Sequence, residues 1–439
     1  MKLKILKGTR DYYPKEQRIR EHILDVLKKY FKIYGYQPLE TPILNYFDVL
    51  AAKYAGGAEI LKETYQLRDQ GGRHIALRYD LTVPFARFIG MNTQMSFPFK
   101  RYEIGKVFRN GPVKAGRARE FTQCDVDICG TKSLMSDAEL ICMAYNVFKE
   151  LNIDITIQFN NRKLLSGIIK HSKISDDIVS SVILSLDKLE KIGWDGVQAE
   201  LIDKGVKEES ILSLKEILNE YKKKDNIFAY FKKFSEQNND IKEGISELEE
   251  FYGYLKEYGI DENYLFFNPS LARGLEIYTG TVFEIFAKDS KITSSLAAGG
   301  RYDFIIGSFL QAEPKDSYPA VGICFGLDVI YAVLEDIKDK EEFQKAPFDI
   351  FIIPMNTQKE SFKVMQQLRD NGISCDIEFM KRKLKKSLNY ANKQNIPFVL
   401  IIGEDEIKSG KYTFKDMANS KEEKLSLNEI IMKFKGGGI

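Results

Sequence analysis

The stretch FRNGPVKAGRAREFTQCDVDICG, from Phe108 to Gly130, changes character at its middle. Its first half sets Arg109, Lys114, Arg117 and Arg119 among Gly111, Pro112 and Gly116, a composition that makes a turn rather than a helix. From Glu120 onward polar and apolar residues alternate as in a β-strand. Residues two apart on a strand face the same way. Phe121, Gln123, Asp125 and Asp127 therefore share one face, while Thr122, Cys124, Val126 and Ile128 supply the other, which reads as core. Guanidinium groups on a bendable loop suit a polyanion such as phosphate. Carboxylates and an amide beside them suit a small polar ligand that brings donors. Taken alone, the stretch is equally a hairpin with a solvated basic tip.

Outward from it, the neighbouring segments read as sheet with flanking helices. Ile19, Ile23, Val26, Leu27, Tyr30 and Phe31 recur at helical spacing and predict a helix over 15–33, stopped by Gly35. KETYQLRDQGGRHIALRYD reads as two strands about a Gln-Gly-Gly turn. Ser136-Asp-Ala-Glu139 has the form of a capping box opening a helix to about Leu151, and IDITIQF is a further strand. From Thr64 to Phe159 the pattern is mostly antiparallel. After about Leu165, and through Gly259, the texture is charged and helical, as in an insertion with a solvated face. Strand character returns in GTVFEIFA and PAVGICFGL. DIKDKEEFQKA, 336–346, is a charged linker. Beyond it, FDIFIIP and PFVLIIG are apolar runs of the kind buried on both faces of a mostly parallel sheet.

The chain has 439 residues, too many for one core. Its net charge of +2 confines any nucleic-acid surface to a local patch. The five cysteines form no CxxC pair and there are only three histidines, which argues against a zinc centre and against a disulfide framework. A reducing cytoplasm is expected. No apolar run approaches the roughly 20 residues of a membrane helix, and the N-terminal residues have no apolar signal core. No GxGxxG, P-loop, GxSxG or HExxH is present. Polar groups gather with glycine instead. LRYDLTVPFAR carries Asp80 and Thr82. LARGLEIYTGTVFE carries Arg273 and Tyr278. LAAGGRYD carries Arg301 and Asp303. Cations at Arg109, Arg117, Arg273 and Arg301 suit a phosphate-bearing substrate, and carboxylates at Asp80 and Asp127 suit one bearing an amine.

With these segments in order, the chain resembles histidyl-tRNA synthetases, class II aminoacyl-tRNA synthetases, over nearly its full length. KGTRDYYP is similar to the family's N-terminus, TPILNYFDVL to motif 1, and FRNGPVKAGRAREFTQCDVD to motif 2. LARGLEIYTGTVFE and AAGGRYD resemble its two histidine-specific segments, YPAVGICFGLDVI its motif 3, and KRKLKKSLNYANKQNIPFVLIIGEDE its C-terminal anticodon-binding domain. The resemblance implies an α+β protein with a six-stranded antiparallel catalytic sheet, a helical insertion and a C-terminal α/β domain. The expected divisions are 1–165 (motifs 1 and 2), 166–259 (insertion), 260–335 (histidine segments and motif 3), 336–346 (linker) and 347–439 (anticodon-binding domain).

It further implies a cytoplasmic homodimer that activates histidine with ATP and Mg²⁺ and transfers it to the 3′ end of tRNA(His). By position, Arg109 would touch the ATP α-phosphate and the histidine carboxylate, Arg117 the outer phosphates, and Arg273 the α-phosphate during attack. Asp80 and Thr82 would take the α-ammonium, Gln123 other polar atoms of the amino acid, and Asp127 and Tyr278 the imidazole nitrogens. Lys114 and the run Arg382, Lys383, Lys385, Lys386 would meet tRNA, and no side-chain cluster would hold a metal. Three positions depart from the family. Ile277 stands where a first tyrosine of a pair is usual, the motif 2 loop reads Asn-Gly-Pro-Val-Lys, and Val329 replaces the arginine that ends motif 3. The alternative reading is a regulatory paralogue, such as the synthetase-like subunit of ATP phosphoribosyltransferase, which binds histidine without charging tRNA and lacks the C-terminal domain.

Overall fold

The computed structural model describes residues 3–52, 59–113, 118–221, 227–272, 277–312, 318–337 and 346–435. Lys114, Arg117, Arg273 and most of the charged linker lie outside the described residues. The chain divides into two compact units, 1–338 and 339–439.

In the first unit the strands are β1 (Gln37–Pro38), β2 (Leu44–Tyr46), β3 (Gln66–Arg68), β4 (His74–Leu77), β5 (Phe99–Phe108), β6 (Glu120–Cys129), β7 (Ile155–Asn161), β8 (Leu265–Phe267), β9 (Thr281–Ala287), β10 (Ala297–Arg301) and β11 (Ala320–Gly326). The main sheet has eight strands in the order β1-β5-β6-β11-β10-β9-β7-β8. Pairing from β5 through β7 is antiparallel throughout. Short edge strands add in parallel at both sides, β1 on β5 and β8 on β7. The six-stranded antiparallel sheet that the motifs imply is therefore present, extended by one strand at each edge. The hairpin β3–β4 joins β2 in a separate three-stranded sheet.

Helices cover one face of the main sheet. The helix Pro14–Ile33 starts on a proline at its first position and buries Ile23, Val26, Leu27 and Phe31 of the predicted stripe, while Ile19 and Tyr30 stay half-buried and Arg20, outside that stripe, is buried as well. The Phe31 ring lies 5.2 Å from Tyr102 on β5 and 5.8 Å from Phe325 on β11. Phe148, from the helix Leu134–Glu150, reaches the same Phe325 at 5.9 Å. Tyr102 and Phe325 are the register partners of Val126 and Cys124, so these helices close over the apolar face of β6. The polar face of β6 is left for the site.

The helix after β6 starts earlier than the capping-box reading places it. Ser133 is the cap, its hydroxyl accepting from the Met135 N–H, and Ser136 sits inside the first turn, donating to the Ser133 carbonyl. The shift buries Asp137 completely. Arg301 pairs with it there, donating to both carboxylate oxygens and to the Thr131 and Ser133 carbonyls. Arg301 is 4% exposed and is a structural residue of the fold, not a cation available to phosphate.

Between β7 and β8 the described chain is helical, from Arg162–His171 to Asn239–Tyr258. These two helices cross with backbones close together. A Cβ on Gly244 would stand 2.5 Å from the Leu164 nitrogen, so only glycine permits the crossing.

The second unit contains β12 (Ile350–Pro354), β13 (Cys375–Ile377), β14 (Phe398–Ile402), β15 (Tyr412–Asp416) and β16 (Glu422–Leu425), in the order β13-β12-β14-β15-β16. The first three are parallel and the last two antiparallel. Ile350, Ile352, Leu400 and Ile402 pack on one face against Val364 and Leu368. Phe351, Ile353 and Val399 pack on the other with Ala391. Both faces are covered, as unbroken apolar strands require.

Removing Asp137 should expose how much the first unit leans on this pair. Asp137→Ala leaves the Arg301 guanidinium buried with Asp303 3.3 Å away as its remaining carboxylate. The expected loss is about 3–5 kcal/mol, read by urea unfolding followed by circular dichroism. A loss below about 1 kcal/mol would mean that Asp303 and the carbonyls suffice.

Candidate active site

The polar face of β6 meets residues from four other segments in one pocket. Thr82, Asp125, Asp127, Ile277, Tyr278, Tyr302, Gly322 and Cys324 are among its lining. The register explains the depth. Asp127 stands opposite Gly322 and Asp125 opposite Cys324 across the β6–β11 pairing. A Cβ on Gly322 would fall 2.0 Å from Asp127 Oδ1, so a glycine there is what lets the carboxylate occupy its position.

A buried charge network holds that carboxylate. Arg101, fully buried on β5, is the register partner of Asp127 and places Nη2 2.7 Å from Asp127 Oδ2, off the hydrogen-bond direction. The same guanidinium lies 3.4 Å from Glu103 Oε2 and 4.4 Å from the Phe85 ring centre. Glu103 in turn binds Arg78 at 2.7 Å and accepts from the Thr41 N–H at 2.9 Å. Tyr302 donates its hydroxyl to Asp127 Oδ1. Burial pushes the Asp127 carboxyl above the usual range, while Arg101 and Tyr302 pull it back.

The residues expected from the sequence fall into three groups. Thr82, Asp127 and Tyr278, from separate segments, line the pocket. Three others are not among that lining. Gln123 directs Nε2 to Cys324 Sγ at 3.0 Å. Asp80 is buried one residue before the N-cap of the helix Thr82–Met91 and accepts from the Val83 N–H at 3.1 Å. Its charge reaches Asp125 and Asp127, raising both. Arg109 is half-buried, with Nε 3.2 Å from the Tyr79 carbonyl and its guanidinium 5.1 Å from the Phe121 ring centre. Arg117, Lys114 and Arg273 fall outside the described residues.

Sequence reasoning did not assign Arg101, Tyr302 or Cys324 to the site, and it noted Asp125 only as a face-mate of Asp127. The clue to Arg101 was present in FKRYEIGKVF, where Arg101 and Glu103 put two charges on one face of a long strand. Motif 3 contributes through Asp328, which takes Arg20, the Tyr12 hydroxyl and the Thr122 N–H. Val329 beside it is half-buried at the start of the helix Leu327–Ile337.

In the second unit, Arg382 is tied to its own fold, 3.0 Å from Glu378 and 4.8 Å from the Tyr390 ring centre. Lys383, Lys385 and Lys386 are exposed at the start of the helix Leu384–Lys393.

Comparison with known proteins accounts for the combination. The histidyl-tRNA synthetase family model matches residues 8–330, and an anticodon binding domain model matches residues 349–436. Histidine–tRNA ligase 1 of Bacillus cereus is 48% identical over 439 residues, spanning 98% of this chain and 99% of that protein. The crystal structure of histidyl-tRNA synthetase from Nostoc sp. PCC 7120 superimposes with a TM-score of 0.84 at 29% identity, over 99% of each chain. A Bacillus halodurans protein described as an ATP phosphoribosyltransferase regulatory subunit/histidyl-tRNA synthetase shares the fold, with a TM-score of 0.73 at 19% identity over 90% of this chain and 97% of that one. With its pocket built from both histidine-specific segments and its second unit matched to the anticodon-binding module, this chain belongs to the histidyl-tRNA synthetase family.

Proposed function

We propose that this chain is a histidine–tRNA ligase, which activates histidine with ATP and transfers the aminoacyl group to the 3′ end of tRNA(His). The observation that carries the reading is the convergence of Thr82, Asp127 and Tyr278 on one pocket whose walls are the motif 2 and motif 3 strands. The match of residues 349–436 to an anticodon binding domain favours the ligase over a regulatory paralogue without that domain.

The chemistry asks for placement and charge more than for a base. The histidine carboxylate is already a nucleophile, and the α-phosphate needs cations where negative charge develops. In the proposed roles Arg109 bridges the α-phosphate and the histidine carboxylate, Arg273 steadies the α-phosphate during attack, and Arg117 holds the outer phosphates. Asp80 and Thr82 take the α-ammonium, Gln123 the polar atoms beside it, and Asp127 and Tyr278 contact the imidazole nitrogens. A side chain lacking ring N–H groups would leave the buried Asp127 without its ligand, which discriminates strongly. Mg²⁺ enters with the nucleotide, on its phosphate oxygens. Among the described residues no group of three or more His, Cys, Asp or Glu is placed to hold a metal.

Lys114, Arg382, Lys383, Lys385 and Lys386 are the proposed tRNA contacts. A cytoplasmic homodimer is the proposed form. All five cysteines are free thiols, and Leu44, Tyr46 and Leu67 of the three-stranded sheet are exposed in the single chain, an apolar face suited to a second copy.

Calorimetry with histidine tests the pocket. Asp127→Asn keeps the volume and removes the charge, and histidine affinity should fall about 10- to 100-fold. Unchanged affinity would take Asp127 out of the pocket. A truncation after Ile337 should keep histidine-dependent ATP–pyrophosphate exchange, lose most tRNA charging, and still sediment as a dimer because the motif 1 strands remain. Full charging by that truncation would overturn the role of the second unit.

Val329 supplies neither charge nor donor to ATP, and Arg301 is held by Asp137 rather than free to replace the missing guanidinium. Losing one charge-assisted hydrogen bond costs about 1.5–3 kcal/mol, roughly 10- to 150-fold. Val329→Arg should therefore lower the ATP KM, or raise pyrophosphate exchange, at least about tenfold. Fast exchange that the arginine leaves unchanged would mean another group already serves the phosphates.

A further inference from the structure

Among the described residues, Asp125 is the one carboxylate lining the pocket that the roles above leave unused. It lines the cavity beside Asp127, is 4% exposed, and among the described residues its Oδ1 has no hydrogen-bond partner. Leaving a buried carboxylate oxygen unpaired costs free energy that a ligand donor would recover. The surrounding charges sharpen the point. Glu103, Asp125 and Asp127 all act on the one guanidinium of Arg101. Arg78 answers Glu103, and Asp127 has Arg101 and Tyr302. The shortfall of positive charge falls on Asp125.

We infer that Asp125 is a second specificity-determining carboxylate of the amino-acid pocket, its Oδ1 and Asp127 facing the same ring nitrogen of the bound histidine with one added proton held between them, while Tyr278 keeps the other nitrogen. This rests on the histidine-activating reading above and assigns within it a residue that the motif roles omit. The neighbours of Asp125 are Arg101 and Glu103 on β5, Asp127 on its own strand, Cys324 on β11, and Asp80 ahead of the helix Thr82–Met91.

Burial pushes the Asp125 carboxyl up to about 7; Asp127 and Asp80 push the same way, and Arg101 and the Cys324 thiol oppose them. Near neutral pH the carboxyl of the free pocket is therefore partly protonated and can supply the proton that the complex needs. Above that range both Asp125 and the free imidazole are deprotonated, and binding must take a proton up. Affinity then falls about tenfold per pH unit, the linkage of one proton. Asparagine at this position holds no titrating proton, so its profile should be flat.

The test is histidine affinity by calorimetry at pH 7.0, 7.5, 8.0 and 8.5, with pyrophosphate exchange run alongside. The wild-type chain should weaken about tenfold from pH 7.5 to 8.5. Asp125→Asn should bind about 10- to 100-fold more weakly at pH 7 and change little with pH, while its ATP KM stays within about twofold. A flat wild-type profile overturns the inference, and needs no variant to fold. So does a wild-type affinity at pH 7 in Asp125→Asn, or the same steep profile in both, which would place the proton on another group. Exchange that proceeds normally beside any of these results leaves the ligase reading intact. Absence of histidine-dependent exchange in the wild-type chain removes that reading and this one together.

Discussion

The position of Arg101 is the constraint on which the site depends. Its guanidinium is wholly buried, between Glu103 on its own strand and Asp127 on the next. Removing such a cation from water costs several kcal/mol, and only a complete set of partners offsets it. The set draws in separate parts of the chain. Arg101 also donates to the Leu81 carbonyl at 3.3 Å, and Glu103 ties Thr41 of motif 1 to Arg78 ahead of the pocket. One buried network thus fixes motif 1, the Asp80–Thr82 segment and β6 relative to one another. Apolar residues of the same volume would hold the sheet at least as firmly. What they could not do is present the Asp127 carboxylate, immobile and correctly turned, to a ligand.

That arrangement explains why the fold was more legible than the site. Alternation in β6 and the stripe of the helix Pro14–Ile33 are local, and the periods 2.0 and 3.6 write them directly into the sequence. The all-apolar runs at 350–354 and 398–402 likewise announced strands covered on both faces. The pocket is a product of register. Nothing in GICFG says that Gly322 will lie opposite Asp127, or that Arg101, some two dozen residues earlier, will stand on its other side. Thr82, Asp127 and Tyr278 could be named because motifs carried them. Arg101, Asp125 and Tyr302 required the strands to be paired first. The edge strands β1 and β8, two and three residues long, have too few residues to show a period at all.

Arg301 shows the opposite error of sequence reading, and Arg382, a proposed tRNA contact, shows the same competition for a guanidinium. An arginine beside two glycines, or in a basic run, suggests a phosphate ligand because guanidinium suits phosphate. It suits a carboxylate equally, and Asp137 and Glu378 are within reach. Which partner wins is set by burial. Arg301 lies under a helix and pairs with a fully buried acid, whereas the lysines at 383, 385 and 386 remain in solvent.

Motif 3 separates these two demands within adjacent residues. Asp328 is retained where the family has an acidic residue, and the structure gives it a holding role. It gathers Arg20 and Tyr12 from the N-terminal segment and the backbone N–H of Thr122, one residue before Gln123. Replacing it would release the N-terminal helix from β6 and leave Arg20, itself 5% exposed, without its carboxylate. Val329 carries no such tie. It sits half-buried on the first turn of a helix whose packing is done by Leu327, Ile330 and Tyr331. In the proposed function an arginine at that position would serve the nucleotide. Under the proposed function its loss would act on ATP binding, while the loss of Asp328 would also act on the fold.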